Sequence, residues 1–362
     1  MIRTSCVICS NPLKTLYERK AFPISISPPE MNTAVCDDSF RNQDFAVCSF
    51  CSCVQLAGEL IDPVVLYANP HNNTGETPTW KEHHIEFKTF VMNTLPQSIL
   101  EIGGTGILYS FIRNENPDIF YASLDICTPT VQLDGVTYLQ GNCENFDFKG
   151  HSTVVMSHVF EHLYNPRKFL ENLEKAGVEN VLLTFPNMNA MLEAKNPNVL
   201  HNEHTYFIDK LFTEWIFANY GYKLASYYEF KTHSLFFHFE KTSQEMKISL
   251  YNRPEIPIMM KAIYEEERAR LESLVVKENS FFAPAGLYGQ LFHYFTKSHI
   301  IGFLDNDTAK QGRRVYGTPY YVFPFEVISQ NKRSTVYVWG GPYKKELMKQ
   351  LSSYTDLEII EI

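Results

Sequence analysis

The sequence predicts an α/β protein built on a Rossmann-type nucleotide fold. A small cysteine-rich lobe precedes that fold, and a second, smaller Rossmann-like domain follows it. Three observations carry this reading. Ser98 to Ile112 runs strand, glycine turn, helix: the apolar run Ile99–Ile102 holds one carboxylate, Glu101, then come Gly103, Gly104 and Gly106, then an apolar helical stretch. Two Cys-x-x-Cys pairs, Cys6–Cys9 and Cys48–Cys51, lie before it. A further strand, glycine turn and helix starts at Ser280. The parts are read as residues 1–75, 76–245 and 246–362.

A chain of 362 residues is long enough for two or three domains. Its net charge of −9, with no lysine/arginine block, argues against a nucleic-acid partner. It leaves room for a single nucleotide, which needs only a local basic or helix-terminal site. No apolar run approaches the roughly 20 residues of a membrane helix, so no membrane partner is expected. The first residues lack the apolar core of a signal peptide, and Cys6 comes at once; a cytoplasmic location with reduced thiols is expected.

In such a compartment two Cys-x-x-Cys knuckles point to tetrahedral zinc rather than disulfides, with Cys6, Cys9, Cys48 and Cys51 as ligands. Four thiolates leave no open position, so the ion is structural. The other reading is four buried free cysteines. Cys36 and Cys53 are spare, as packing or near-site thiols. Tyr67-Ala68-Asn69-Pro70-His71 follows the lobe. Residues 80–95 have helical spacing, with Ile85, Phe87, Val91 and Leu95 on the apolar face; His83 and His84 are read as a solvated face, with a substrate contact as the alternative.

The second strand of the central fold, Ile119–Asp125, ends in an acid placed to bind ribose hydroxyls. The third, Val136–Leu139, leads to Gly141-Asn142-Cys143-Glu144. The fourth ends near Ser157 and enters the loop His158 to Pro166, which contains Glu161-His162. A helix over 168–176 and a fifth strand, Asn180–Phe185, follow. Residues 209–220 read as a helix. Residues 223–228 and 234–239 read as an antiparallel pair closing the sheet, with His233 and His238 as core or edge histidines.

The densest chemistry lies in Leu200-His201-Asn202-Glu203-His204-Thr205-Tyr206-Phe207. Histidine titrates near neutral pH, and an adjacent carboxylate can fix its tautomer and raise its basicity. A blander role also fits: Glu203 as the acid of a helix N-terminus. Residues 255–277 form a charged helix. The last region runs from Ser280 through Ala285-Gly286-Leu287-Tyr288-Gly289 and the strand Ile300–Leu304 to Asp305-Asn306-Asp307.

The strand series resembles the class I S-adenosylmethionine-dependent methyltransferases. It departs from them twice. Its glycines fall two, three and five residues after Glu101 instead of two, four and six, and Asn142 stands where an acid is usual. The cysteine knuckles followed by Gln55-Leu56, joined to that series, resemble the zinc-binding sugar C-methyltransferase family. The run from Asp305 to Pro319, D-N-D-x-x-K-Q-G-x-x-x-x-G-T-P, is similar to the C-terminal domain of the same family.

The resemblance implies S-adenosylmethionine and zinc as cofactors and a nucleotide-linked, 4-keto deoxysugar as substrate. It implies cofactor contacts from Glu101, Gly103, Gly104, Gly106, Asp125, Asn142, Cys143 and Ser157. It makes Glu203-His204 the general base and puts Tyr67 and His201 near the reacting oxygen, with His162 as a substrate contact or a loop-packing residue. The C-terminal domain would help hold the nucleotide-sugar; the alternative there is an NAD site, against which its glycine pattern stands. An O- or N-methyltransferase would share the same base and cofactor geometry. A non-catalytic, zinc-stabilised nucleotide-binding protein is the rival from another class. The oligomeric state is left open.

Overall fold

The computed structural model describes residues 2–26, 34–67, 78–104, 106–129, 131–244, 252–339, 341 and 344–362. The chain divides into two units. The first holds residues 1–16, 45–190 and 204–257; the second holds 17–44, 191–203 and 258–362. The expected boundaries at 75 and 245 lie outside the described residues.

The first unit is built on seven strands: β1 Ser98–Ile102, β2 Phe120–Asp125, β3 Val136–Gln140, β4 Thr153–Ser157, β5 Asn180–Pro186, β6 Tyr222–Phe230 and β7 Ser234–Lys241. Their order across the sheet is β6-β7-β5-β4-β1-β2-β3. β1 to β5 pair in parallel, and β7 runs antiparallel between β5 and β6. This is the strand order of the class I methyltransferase fold that the resemblance predicted.

Successive residues of each central strand face opposite sides, and both sides are buried, so the strands read as continuous apolar runs. Leu100, Ile102, Val154, Met156, Leu183 and Phe237 fill one core. Ile99, Tyr121, Val155, Leu182 and Phe236 fill the other. Helices α1 Pro78–Met92 and α2 Ile107–Ile112 cover the second face, through Phe87, Val91, Leu108 and Ile112. Helices α3 Pro166–Ala176 and α4 Lys210–Ala218 cover the first, through Phe169, Leu173, Phe212 and Ile216. Asn165 and Asp209 cap α3 and α4 by accepting the Lys168 and Phe212 N–H groups.

One expectation for α1 is corrected. Its inward face carries His83, His84, Phe87 and Val91. Ile85 is 50% exposed, and Leu95 lies beyond the helix at 79%. The spacing 83, 87, 91 defines the buried stripe, and Ile85 lies about 200° around the axis from His83. The two histidines are therefore core residues, not a solvated face.

Before this domain, Val54–Glu59 pairs antiparallel with Ile2–Arg3 and with Tyr206–Phe207. The stretch after His204 is thus an added strand beside the cysteine knuckles.

The second unit carries a sheet of five described strands: β8 Ser280–Ala283, β9 Gly302–Leu304, β10 Val322–Phe323, β11 Thr335–Val338 and β12 Glu358–Glu361. Every pairing is parallel, in the order β10-β9-β8-β11-β12. Helix α5 Leu287–Thr296 follows Gly286, and α6 Lys344–Leu351 precedes β12. This is the predicted second Rossmann-like sheet. Among the described residues no helix is long and apolar enough to cross a membrane.

Candidate active site and cysteine centre

The Cys6, Cys9, Cys48 and Cys51 sulfurs converge. Cys6–Cys51 is 3.7 Å, Cys9–Cys48 3.4 Å and Cys9–Cys51 3.6 Å. A tetrahedral ion with bonds of about 2.3 Å needs sulfurs about 3.8 Å apart, so the donor set fits. Donors already face the sulfurs: Ile8 N–H and Gln55 Nε2 toward Cys6, Phe50 and Cys51 N–H toward Cys48, and Asn11 Nδ2 toward Cys9. Such donors stabilise thiolates. Cys53 is buried beside this group, and Cys36 is exposed and apart from it.

Arg3 ties this lobe to the stretch that carries the candidate base. Its guanidinium is buried and donates to Leu56 O at 3.1 Å, Thr205 O at 2.7 Å and Tyr164 O at 2.9 Å. Thr205 N–H also donates to Glu161 O at 2.9 Å. Thr205, directly after the candidate base His204, is thereby held through both its carbonyl and its N–H.

At the carboxyl end of β1 the glycine turn is shaped by its own carboxylate. A Cβ on Gly104 would sit 1.9 Å from Glu101 Oε1. Glu101 is 2% exposed, and its Oε2 accepts the Gly106 N–H at 3.1 Å. Burial pushes its pKa up to about 7. Glu101 braces the loop from inside. Gly103 sits at φ +72, with the position of a missing Cβ only 2.6 Å from Val159. Thr105 lies outside the described residues.

Asp125 ends β2, half-buried. Its carboxylate accepts the Cys127 N–H at 3.1 Å, and burial raises its pKa. Asn142 caps a short turn by accepting the Glu144 N–H at 2.8 Å, and the adjacent Cys143 is buried. Ser157 is the last residue of β4. All of these lie at the carboxyl ends of β1 to β4, where open α/β sheets bind ligands. The turn glycines and an acid at the end of β2 suit an adenosine.

The candidate acceptor side brings together residues far apart in sequence. Tyr67 Oη is 2.8 Å from His162 Nδ1. The His162 and His204 rings stand perpendicular, with centroids 4.9 Å apart. Glu161 completes the group: it, His162 and His204 each bring a ligand atom within 4.8 Å of the others. Glu161 is 3% exposed, neither carboxylate oxygen has a hydrogen bond, and burial pushes its pKa to about 7. His158 Nδ1 lies 3.4 Å from its Oε1. This set can move a proton, and it also has the donors of a divalent-ion site. Glu161 was missed in the sequence; its signal was the unexplained acid beside His162.

His201 and Glu203 belong to the second unit. There the Glu203 carboxylate accepts the Ile26 N–H at 2.8 Å, and His201 Nδ1 accepts the Glu203 N–H at 3.2 Å. Ala68 to His71, flagged with Tyr67, lie outside the described residues.

No protein-family profile matches the chain, and no curated protein matches it. Solved structures do. One is a complex of the Haloferax volcanii Trm112 methyltransferase activator with a methyltransferase: 12% identity, TM-score 0.41, covering 51% of this chain and all of that one. Another is Burkholderia thailandensis 1,6-didemethyltoxoflavin-N1-methyltransferase with bound S-adenosylhomocysteine: 9% identity, TM-score 0.41, covering 55% and 96%. A third is the plantazolicin methyltransferase BpumL with S-adenosylhomocysteine: 15% identity, TM-score 0.37, covering 49% and 93%. These likenesses are remote. The class I methyltransferase fold of this chain rests on its strand order.

Proposed function

We propose that the first unit transfers the methyl group of S-adenosylmethionine to the sugar of a nucleotide-linked deoxysugar, at the carbon beside a 4-keto group. The observation behind this reading is the meeting of Tyr67, His162 and His204 beside a class I methyltransferase sheet. When bound, the cofactor supplies an electrophilic methyl on a positively charged sulfur. Gly103, Gly104 and Gly106 would lie along it, Asp125 would bind its ribose hydroxyls, and Asn142, Cys143 and Ser157 would line the same edge. Glu101 would hold the loop in shape.

His204 removes the proton from the carbon beside the ketone, and the electron pair left behind forms an enolate. That carbon would be the nucleophile toward the methyl group that the bound cofactor supplies. Tyr67, oriented by His162, donates to the enolate oxygen. Glu203, as the acid supporting the base, and His201, as a second donor, enter through the family resemblance alone. The four-cysteine site is read as structural zinc. By the same resemblance the second unit helps hold the nucleotide-sugar.

The test is incubation with S-adenosylmethionine and a panel of nucleotide-sugars, read by mass for an added methylene. Deuterated solvent separates the chemistries. With a 4-keto sugar and no methyl donor, the wild type should exchange the acidic α-proton, and His204→Ala should not. Methylation without exchange would move the acceptor to a hydroxyl or amine. No binding of S-adenosylmethionine at millimolar concentration would favour the non-catalytic rival.

A further inference from the structure

Three histidines with no part in methyl transfer meet at the carboxyl edge of the central sheet. His83 comes from the middle of α1, His158 directly follows β4, and His233 sits in the turn between β6 and β7. One ring atom of each lies within 4.8 Å of those of the other two. The rings form a nearly equilateral triangle, with centroids 5.3, 5.8 and 5.7 Å apart. Trp80 lies against all three, at 5.0–5.1 Å.

Two details separate this group from ordinary packing. His83 is fully buried among Phe87, Phe230 and Phe236, and its Nδ1 has no hydrogen-bond partner. A phenylalanine there would avoid the cost of an unpartnered buried nitrogen. In addition, Ser234 Oγ hydrogen-bonds both His158 Nε2, at 2.9 Å, and His233 Nδ1, at 2.6 Å, so an ion held by these two nitrogens would take the place of the hydroxyl. Glu161, beside His158 Nδ1, stands where a carboxylate orients a metal-bound imidazole.

We propose that His83, His158 and His233 form a second metal site, for a divalent transition ion such as zinc, cobalt or nickel, distinct from the four-cysteine centre. Three neutral imidazoles without thiolate suit those ions. Three protein ligands also leave a further position for water or an anionic oxygen. Ligation through His158 Nε2 would leave its Nδ1 facing Glu161 Oε1, 3.4 Å away. This assignment stands on the three rings and does not depend on the methyl-transfer reading.

The test uses the full chain and two readouts besides activity. Elemental analysis should give two ions per chain, falling to one in His233→Ala. His233 is only partly buried, so this variant should fold; far-ultraviolet circular dichroism checks it, and His233→Gln serves as a second variant. Cobalt added to protein refolded with one equivalent of zinc, which fills the four-cysteine centre, should produce a visible band free of thiolate charge transfer and should quench Trp80 fluorescence. Both should vanish in His233→Ala, and the quenching should vanish in Trp80→Phe. One ion per chain in the wild type, with no cobalt response, would reduce the three rings to a hydrogen-bonded packing group. Two ions in both wild type and His233→Ala would place the second ion elsewhere and equally overturn the assignment.

Discussion

Replacing Arg3 by methionine keeps the length and apolar stem of the side chain and removes the charge. The guanidinium donates to the carbonyls of Leu56, Thr205 and Tyr164. A hydrogen bond from a charged group contributes about 1.5–3 kcal/mol, so three contribute about 5–9 kcal/mol. Burying the ion opposes this. Burial lowers the Arg3 pKa from 12.5 to about 10, which corresponds to about 3 kcal/mol. The bonds win, and Arg3→Met should destabilise the first unit by about 2–6 kcal/mol, read as a lower urea midpoint. The functional effect should be selective. Thr205 adjoins His204, and Tyr164 follows His162 by two residues, so turnover should fall while S-adenosylmethionine affinity holds. Arg3→Lys should recover only part, because one ammonium cannot reproduce the planar fork. Wild-type urea midpoint and turnover in Arg3→Met would refute the claim that this contact positions the acceptor side.

Cys48→Ser should lose the ion of the four-cysteine centre and lower the thermal midpoint, because structural metal binding is largely folding energy; elemental analysis and calorimetry check it. Asp125→Ala should weaken S-adenosylmethionine binding by about 1.5–3 kcal/mol, measured by titration calorimetry, and a wild-type dissociation constant would show that the ribose lies elsewhere. His204→Ala should cut turnover about 10²–10⁴-fold with cofactor affinity nearly intact, as stopped assays and titration would show. Glu101 gives a pH effect. Its folded pKa of about 7 lies above the ordinary carboxyl value of 4.5, so between these pH values the folded state holds the proton and the unfolded state has lost it. Stability of the ligand-free protein should therefore fall as pH rises from about 4.5 to 7, by about 3 kcal/mol for this group, and Glu101→Gln should flatten that slope in urea titrations.

The central fold was legible because the parallel strands at the middle of the sheet are buried on both faces and therefore write themselves as apolar runs. Even the closing antiparallel pair was marked by its alternating aromatics. The cysteine knuckles were legible because a tetrahedral site is built from two short, local turns. The faces of α1 were not. Ile85 on the helix and Leu95 beyond it are outside the core, while His83 and His84 are inside it, where they meet aromatic rings as well as histidines from distant segments. Periodicity sees only hydrophobicity, so a polar interior defeats it. The same limit hid the Tyr67–His162 contact and the role of Glu161, which depend on chain segments 95 residues apart. The inward turn of Glu101 was hidden for another reason: a carboxylate before a glycine loop reads as a ligand contact until the space beside Gly104 is known to be filled by it.

The geometry at the middle of the sheet explains why the glycine turn tolerates its short spacing. The strand order reverses between β1 and β4, and a crevice opens at such a reversal. On one side of it lie the turns after β1, β2 and β3, with Gly103, Asp125 and Asn142. On the other lie the loop after β4 and the stretch that carries His204. The two sides touch where Val159 packs over Gly103, at a distance that leaves no room for a Cβ. Gly103 is therefore required by the fold itself, before any ligand arrives. Glu101 fills the space beside Gly104 and ties back to Gly106, so the turn is held by an internal carboxylate instead of by a longer glycine run. A loop braced in this way can lose one residue and still direct its backbone into the crevice, which is why the shortened spacing does not by itself argue for a degraded site.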